Sequence, residues 1–117
     1  MNPIDQLFRR LRSEGRKAFM PFVTAGDPDL GFTSEVLPAV AGSGANLIEV
    51  GFPFSDPIAD GPVIQASYTR ALDKGLKLAD VFAMLKDVTT TPASGGSTDA
   101  RGQPPVPMVA MVSYSLI

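Results

Sequence analysis

The chain has 117 residues, a hydrophobic content of 44% and a formal net charge of −2, which together are typical of one ordinary globular domain. The absence of a basic face argues against nucleic acid as a main partner, and no apolar run approaches the ~20 residues that span a bilayer. The sequence contains no cysteine and no histidine, so thiolate or histidine metal sites and histidine-based triads are excluded, and acid–base chemistry is left to carboxylates, lysine or tyrosine.

The first predicted elements are a helix and a strand. Residues 2–14 are predicted to form an amphipathic helix, because Asn2 can cap it, Pro3 suits its first turn, and apolar residues recur every three or four positions. Residues 18–24 form the first predicted strand, although Pro21 is unusual inside a strand because it has no N–H to donate.

A second helix and a second strand follow. The helix is predicted over about residues 31–41, where the interior Pro38 favours a kink. A short apolar strand runs from Leu47 to Val50, and Gly51 stops it. Strands that alternate with helices in this way are typical of the βαβ units of a parallel sheet.

The stretch 47–61 combines the end of a strand, an acidic loop and the start of a helix. Pro53 and Pro57 hold the loop extended, and Asp56 and Asp60 lie on it. The pair Gly61-Pro62 then opens the next helix. The arrangement is typical of the carboxyl-terminal edge of a β/α unit, where α/β folds place their chemistry.

Glu49 interrupts the apolar residues of the second strand. A buried carboxylate costs several kcal/mol unless it is paired or has a raised pKa, and a raised pKa suits a general acid/base at neutral pH. From the residues alone, two interpretations stay open. Glu49 is either a catalytic carboxylate or a strand-end residue that points to solvent or to a structural arginine.

The rest of the chain continues the alternation. Helices are predicted over about residues 62–73 and 78–88 from their apolar periodicity. Residues 89–105 are rich in Gly, Ser, Thr and Pro and are predicted to form a flexible loop. Residues 106–117 are apolar nearly throughout and are predicted to form a third strand that is covered on both faces.

The central stretch also resembles a known family. The run Ile48-Glu49-Val50-Gly51, followed after two residues by Phe54-Ser55-Asp56-Pro57-Ile58-Ala59-Asp60-Gly61, resembles the signature of the tryptophan synthase alpha subunit. The resemblance covers essentially this whole chain but only the first part of the family's chain. It implies an α/β fold that is the N-terminal portion of a TIM (β/α)8 barrel, with about three β/α units, parallel strands, one partial domain over residues 1–117 and an insertion at about 89–105.

The resemblance implies a lyase of tryptophan biosynthesis that splits indole-3-glycerol phosphate by a retro-aldol step into indole and glyceraldehyde 3-phosphate. Glu49 would be the general acid/base. Asp60 would bind the indole N–H and stabilise the positive charge that develops on the ring. Phe22 would line the indole part of the pocket, and Ser113 stands where the family carries an aromatic residue.

The resemblance also implies partners. Pro53, Asp56 and Pro57 would belong to the loop that meets the tryptophan synthase beta subunit in an alpha2-beta2 heterotetramer. The small-molecule substrate would be indole-3-glycerol phosphate, with no nucleic acid or membrane partner. No metal or cofactor is expected in the alpha reaction, and pyridoxal phosphate is expected only in the beta subunit. A cytoplasmic location is expected.

A TIM barrel needs about 250 residues and eight β/α units, so the chain is expected to be an N-terminal fragment. The later loops that hold the substrate phosphate have no counterpart in these residues, and we expect no indole release by the chain alone. Two other interpretations remain. One is a non-catalytic module that binds the beta subunit. The other is a complete flavodoxin-like domain, against which three strands and the lack of a glycine-rich phosphate loop argue.

Overall fold

A computed structural model describes residues 2–90 and 105–113. Within these ranges there are four helices and three strands: α1 (Pro3–Ser13), β1 (Phe22–Thr24), α2 (Leu30–Gly42), β2 (Ile48–Gly51), α3 (Pro62–Asp73), α4 (Leu78–Thr90) and β3 (Met108–Met111). The strands form one parallel sheet in the order β1-β2-β3. The predicted α/β class with parallel strands is confirmed. In the described ranges, no helix is both long enough and apolar enough to cross a bilayer.

Local sequence signals set the helix starts. The Asn2 side chain accepts a hydrogen bond of 2.9 Å from the Asp5 N–H and caps α1. Asp29 caps α2 in the same way, and Pro62 is the first residue of α3, after Gly61. Capping oxygens satisfy N–H groups that have no partner inside the helix, and proline has no such N–H to satisfy. The predicted helices at these positions are confirmed.

Two strands are shorter than predicted because prolines precede them. β1 begins after Pro21, whose carbonyl accepts from the Glu49 N–H but which has no N–H of its own to donate. β3 likewise begins after Pro107, so the prediction of a strand from residue 106 was wrong. β3 ends at Met111, so its predicted continuation through residues 112–113 was wrong as well, and residues 114–117 lie outside the described residues.

Two further predictions need correction. The loop predicted from residue 89 begins later, because Thr89 and Thr90 belong to α4; residues 91–104 lie outside the described residues. The third strand was predicted to be covered on both faces, but Met111 is 44% exposed. In the described part of the chain β3 is an edge strand of the sheet, so one of its sides has no neighbouring strand.

One face of the sheet carries the main core. Ile48 and Val50 of β2 are buried and pack in one cluster with Leu37 of α2 and with Val81 and Met84 of α4. Because successive side chains of a strand point to opposite faces, this packing assigns the other face to Glu49 and Gly51. At the amino-terminal end, a smaller cluster joins α1 to Leu47.

Leu37 is fully buried in the main core, so we expect truncation of its side chain to lower the stability of the fold strongly. Leu37→Ala should lower the free energy of unfolding by about 2–5 kcal/mol, through lost apolar burial and the cavity that remains. Urea unfolding measures this change. Val63→Ala is the control, because Val63 is 80% exposed and its truncation should change stability by less than about 0.5 kcal/mol. Similar losses for both variants would contradict the packing described here.

Candidate active site

The strand register places Phe22 next to Glu49. Phe22 of β1 is paired with Glu49 of β2, and Thr24 is paired with Gly51. Paired residues of parallel strands project to the same face, so these four residues share the face that the main core does not use. Glu49 is partly exposed there. In the described ranges Glu49 takes part in no salt bridge, which argues against the structural-arginine interpretation.

Gly51 is required by the close approach of two aromatic side chains. A Cβ atom at this position would collide with the Phe22 ring and would lie 2.8 Å from the Tyr68 hydroxyl oxygen. Phe22 from β1 and Tyr68 from α3 therefore converge on the backbone at the carboxyl end of β2. Only glycine leaves room for both.

A hydroxyl pair holds α3 in this place. The Thr24 Oγ1 and Ser67 Oγ atoms are 2.8 Å apart, and the Ser67 hydroxyl donates to the Ile64 carbonyl at 2.7 Å. Serine has one hydroxyl proton, so Thr24 is the donor to Ser67. This contact ties the first turns of α3 to β1 and brings the next residue, Tyr68, over Gly51.

A cleft of about 320 Å³ opens beside this point, between the acidic loop, α3 and the end of β3. Its lining combines aromatic and aliphatic side chains with two carboxylates: Phe52, Phe54, Asp56, Pro57, Ile58, Ala59, Asp60, Tyr68, Met111, Val112 and Ser113. An apolar cleft with a few polar groups suits a small aromatic ligand.

The structure gathers some of the predicted site residues and separates others. Asp56, Pro57, Asp60 and Ser113 border the cleft. Phe22 and Glu49 do not line it; they lie on the adjoining sheet face, which the cleft residue Tyr68 approaches with its hydroxyl at Gly51. Pro53 is buried, whereas Asp56 beside it on the loop is exposed.

Three hydrogen bonds hold the backbone of the acidic loop. The Asp60 N–H donates to the Pro57 carbonyl at 3.1 Å, and the Ile58 N–H donates to the Asp56 carbonyl at 2.9 Å. The Gln65 side chain donates to the Asp60 carbonyl at 2.6 Å. The loop is thus fixed to the first turn of α3, and Ile58 at its tip is 85% exposed.

Tyr68 is the residue that the sequence did not single out. Burial raises the pKa of its phenol, and the nearby charge of Asp60 raises it further, so the hydroxyl keeps its proton at neutral pH. Tyr68 lies with Ser67 and Ala71 on the buried side of α3, which resembles ordinary core packing. The feature of the sequence that could have indicated Tyr68 is its hydroxyl group, because a buried tyrosine usually has a polar neighbour.

An ion pair fixes the loop between β1 and α2. The Arg70 side chain of α3 donates two hydrogen bonds to the Asp27 carboxylate, at 3.0 and 2.8 Å. This hydrogen bonding lowers the pKa of Asp27, burial opposes the change, and the charges of Arg70 and Lys74 reinforce it. The loop therefore has a charged anchor on α3, beside the carboxyl end of β1.

The close contact of Phe22 and Tyr68 with the Gly51 backbone predicts that even one added methyl group destabilises the fold. Gly51→Ala should lower the free energy of unfolding by about 1–3 kcal/mol, because Phe22 or Tyr68 must move. Thermal or urea unfolding measures the loss. Gly42→Ala is the matched control: nothing lies near the added methyl at the end of α2, so this variant should be neutral or slightly stabilising. Equal stability of Gly51→Ala and Gly42→Ala would contradict the close approach.

The Asp27–Arg70 pair predicts a pH-dependent contribution. Because the folded-state pKa of Asp27 is lowered from its usual value of 3.8, the stabilisation is present above that pH and is lost as the pH falls through the lower folded-state value. Asp27→Asn should therefore be less stable than the parent chain at pH 7, and the difference should shrink below pH 3.8. The difference should be small, because Arg70 is 58% exposed and water screens the pair. Urea unfolding at several pH values measures it, with Asp73→Asn on the exposed end of α3 as the control. A difference that does not change with pH would show that the carboxylate charge is not its source.

Comparison with known proteins agrees with this architecture. The sequence profile of the tryptophan synthase alpha chain family matches residues 8–117. The tryptophan synthase alpha chain of Rhodopirellula baltica is 50% identical over all 117 residues, which correspond to 39% of that relative's length.

Two solved structures are similar as well. Tryptophan synthase subunit alpha from Legionella pneumophila aligns with a TM-score of 0.78 and 34% identity, over 95% of this chain and 38% of that one. The aminoacrylate-bound form of tryptophan synthase from M. tuberculosis aligns with a TM-score of 0.70 and 30% identity, over 77% of this chain and 36% of that one. The alpha-chain structures are TIM barrels, and this chain spans well under half of the length of the relatives that it matches. The chain belongs to the tryptophan synthase alpha chain family.

Proposed function

We propose that this chain supplies part of the active site of a tryptophan synthase alpha subunit. The reaction is the retro-aldol cleavage of indole-3-glycerol phosphate to indole and glyceraldehyde 3-phosphate in tryptophan biosynthesis. The main support is that, in a chain of this family, Glu49 lies on the sheet face that Tyr68 approaches at Gly51, while Tyr68 also lines an apolar cleft bordered by Asp60. Chemistry at the carboxyl ends of parallel strands is the rule for TIM barrels.

In this proposal Glu49 moves the protons. Cleavage requires a proton to be added at C3 of the indole ring and one to be removed from the side-chain hydroxyl next to it, so that the carbon–carbon bond between them can break. Glu49 is partly exposed and takes part in no salt bridge in the described ranges, so its carboxyl group is available for exchange. The products are then indole and an aldehyde.

Asp60 stabilises the ring in the same proposal. It borders the cleft beside Phe52 and Tyr68, so an aromatic ring in the cleft can present its N–H to the Asp60 carboxylate. A fixed negative charge there stabilises the positive charge that develops when C3 is protonated. Phe22 would bound the ring from the sheet face. This chemistry needs no cofactor, and pyridoxal phosphate is expected in the beta subunit alone.

The acidic loop is the proposed contact with the beta subunit. Asp56 is exposed, Pro57 is partly exposed, and Ile58 at the tip of the loop is 85% exposed. Pro53 is buried and would support this surface from within rather than touch the partner. An alpha2-beta2 assembly in the cytoplasm is the state that this proposal expects.

A second candidate function is a non-catalytic module that binds the beta subunit through the same loop. It is favoured by the exposure of that loop, where Ile58 is 85% exposed. The resemblance places the phosphate-binding loops later in the family's chain than the part that these 117 residues match. Binding energy from the substrate phosphate drives chemistry at the reacting end, so its loss would abolish turnover.

The isolated chain and a chimera separate the two functions. We expect no indole release from indole-3-glycerol phosphate by the 117-residue chain. A chimera in which these residues replace the matching 39% of the Rhodopirellula relative should release indole. In the chimera, Glu49→Gln and Asp60→Asn should each lower kcat by about 100-fold or more.

Glu35→Gln, on the exposed side of α2, is the control and should leave kcat of the chimera unchanged. Full activity of the Glu49→Gln chimera would contradict the catalytic proposal. A folded but inactive parent chimera that still binds the beta subunit would favour the module.

A further inference from the structure

Tyr68 links the two halves of the proposed site. Its hydroxyl oxygen lies over Gly51, on the sheet face that Phe22 and Glu49 share. Its side chain also lines the cleft that Asp60 borders. Only 6% of the residue is exposed, so most of this side chain is buried in the wall of the cleft.

The hydroxyl of Tyr68 keeps some contact with solvent. In residues 2–90 and 105–113 it makes no hydrogen bond, yet no side-chain oxygen or nitrogen in those ranges is both fully buried and unpartnered. The hydroxyl oxygen is therefore not fully buried, although most of the residue is. Since the phenol keeps its proton, this cleft residue offers a hydrogen-bond donor.

The Asp60 carboxylate is the natural acceptor for this proton. The Asp60 backbone is fixed by Pro57 and Gln65, but in the described ranges its carboxylate takes part in no hydrogen bond or salt bridge. Water must solvate it when the cleft is empty. A ligand ring that displaces this water leaves the carboxylate in need of donors, because a buried charge without them is costly.

We infer that Tyr68 is a positioning residue of this site, an inference that rests on the proposed function. When an aromatic ring fills the cleft, the Tyr68 hydroxyl donates a hydrogen bond to one oxygen of the Asp60 carboxylate. The second oxygen is thereby directed at the N–H of the ring. Two donors, one from the protein and one from the ligand, then satisfy the desolvated carboxylate.

The pair also sets ligand specificity. A ring of the same shape without an N–H displaces water from one carboxylate oxygen and offers it no donor in return. Leaving that oxygen desolvated and unpaired lowers the affinity for such a ring. Indole and benzofuran differ in this one group. The site should therefore favour indole over benzofuran, and the preference should shrink in Asp60→Asn.

The test uses the full chain with its tyrosines labelled with ¹³C at Cζ. The sequence contains two tyrosines, Tyr68 and Tyr114, so Tyr68→Phe or Tyr114→Phe assigns the two resonances. Three carboxylates face Tyr68: Asp56 and Asp60 line the cleft with it, and Glu49 lies on the sheet face that its hydroxyl approaches at Gly51. In the free chain, Asp60→Asn should lower the titration midpoint of Tyr68 by roughly 0.5 unit or more, whereas Asp56→Asn, the same change on the same loop, should not. Equal shifts in the two variants would overturn the pairing.

The second arm adds indole as the probe. Indole should raise the Tyr68 midpoint in the parent chain but not in Asp60→Asn. Tyr68→Phe should weaken indole binding roughly tenfold, the loss of one hydrogen bond to a charged group, and should have a smaller effect when Asp60 is already replaced by Asn. Indole binding with an unmoved Tyr68 resonance, or an equal effect of Tyr68→Phe in the parent chain and in Asp60→Asn, would overturn the inference.

The two arms separate this inference from the proposed function. If indole does not bind the parent chain, the proposed function fails for this chain, and the free-chain titration still decides whether Tyr68 and Asp60 act as a pair. If indole binds and Asp60→Asn abolishes binding while Tyr68→Phe has no effect, the proposed function stands and the role of Tyr68 is refuted.

Discussion

Gly51 is the position at which the geometry of the whole site is decided. At the carboxyl end of β2, the Phe22 ring and the Tyr68 hydroxyl come so close to the backbone that no Cβ atom fits between them. This contact fixes the distance between β1, β2 and α3, and the Thr24–Ser67 hydroxyl pair holds it from the side. The sheet face with Glu49 and the cleft with Asp60 are neighbours because Tyr68, which lines the cleft, approaches that face where Gly51 has no side chain.

The alternation of β2 explains how four residues serve both stability and chemistry. Ile48 and Val50 are buried against α2 and α4, so they stabilise the fold through apolar burial. Glu49 and Gly51 point to the opposite face, where a carboxylate stays partly exposed and a backbone can be approached closely. A shift of the register by one residue would exchange these roles and destroy the core and the site together.

Much of this arrangement could be predicted from the sequence, because its signals are local. Asn2 and Pro62 set the starts of α1 and α3, and Gly51 closes β2 as the pattern indicated. β1 and β3 start later than predicted because Pro21 and Pro107 have no N–H to donate to the sheet. The apolar pattern alone does not show this. Tyr68 could not be singled out, because its importance comes from a contact between α3 and β2 that no helical periodicity encodes. The acidic loop was identified from its residues, but that Pro53 is buried while Asp56 is exposed depends on how the loop packs.

The most direct test of this account is a nuclear Overhauser measurement on the labelled chain, between the Gly51 α-protons and the rings of Phe22 and Tyr68. The structure predicts a strong cross-peak from the Gly51 α-protons to the Phe22 ring. It also predicts a weaker one to the Tyr68 ring, whose hydroxyl oxygen approaches the same place of the missing Cβ. The parent chain needs no substitution or ligand for this experiment. Cross-peaks to neither ring, or to Phe22 alone, would contradict the claim that Gly51 brings the Glu49 face and the Asp60 cleft into one site.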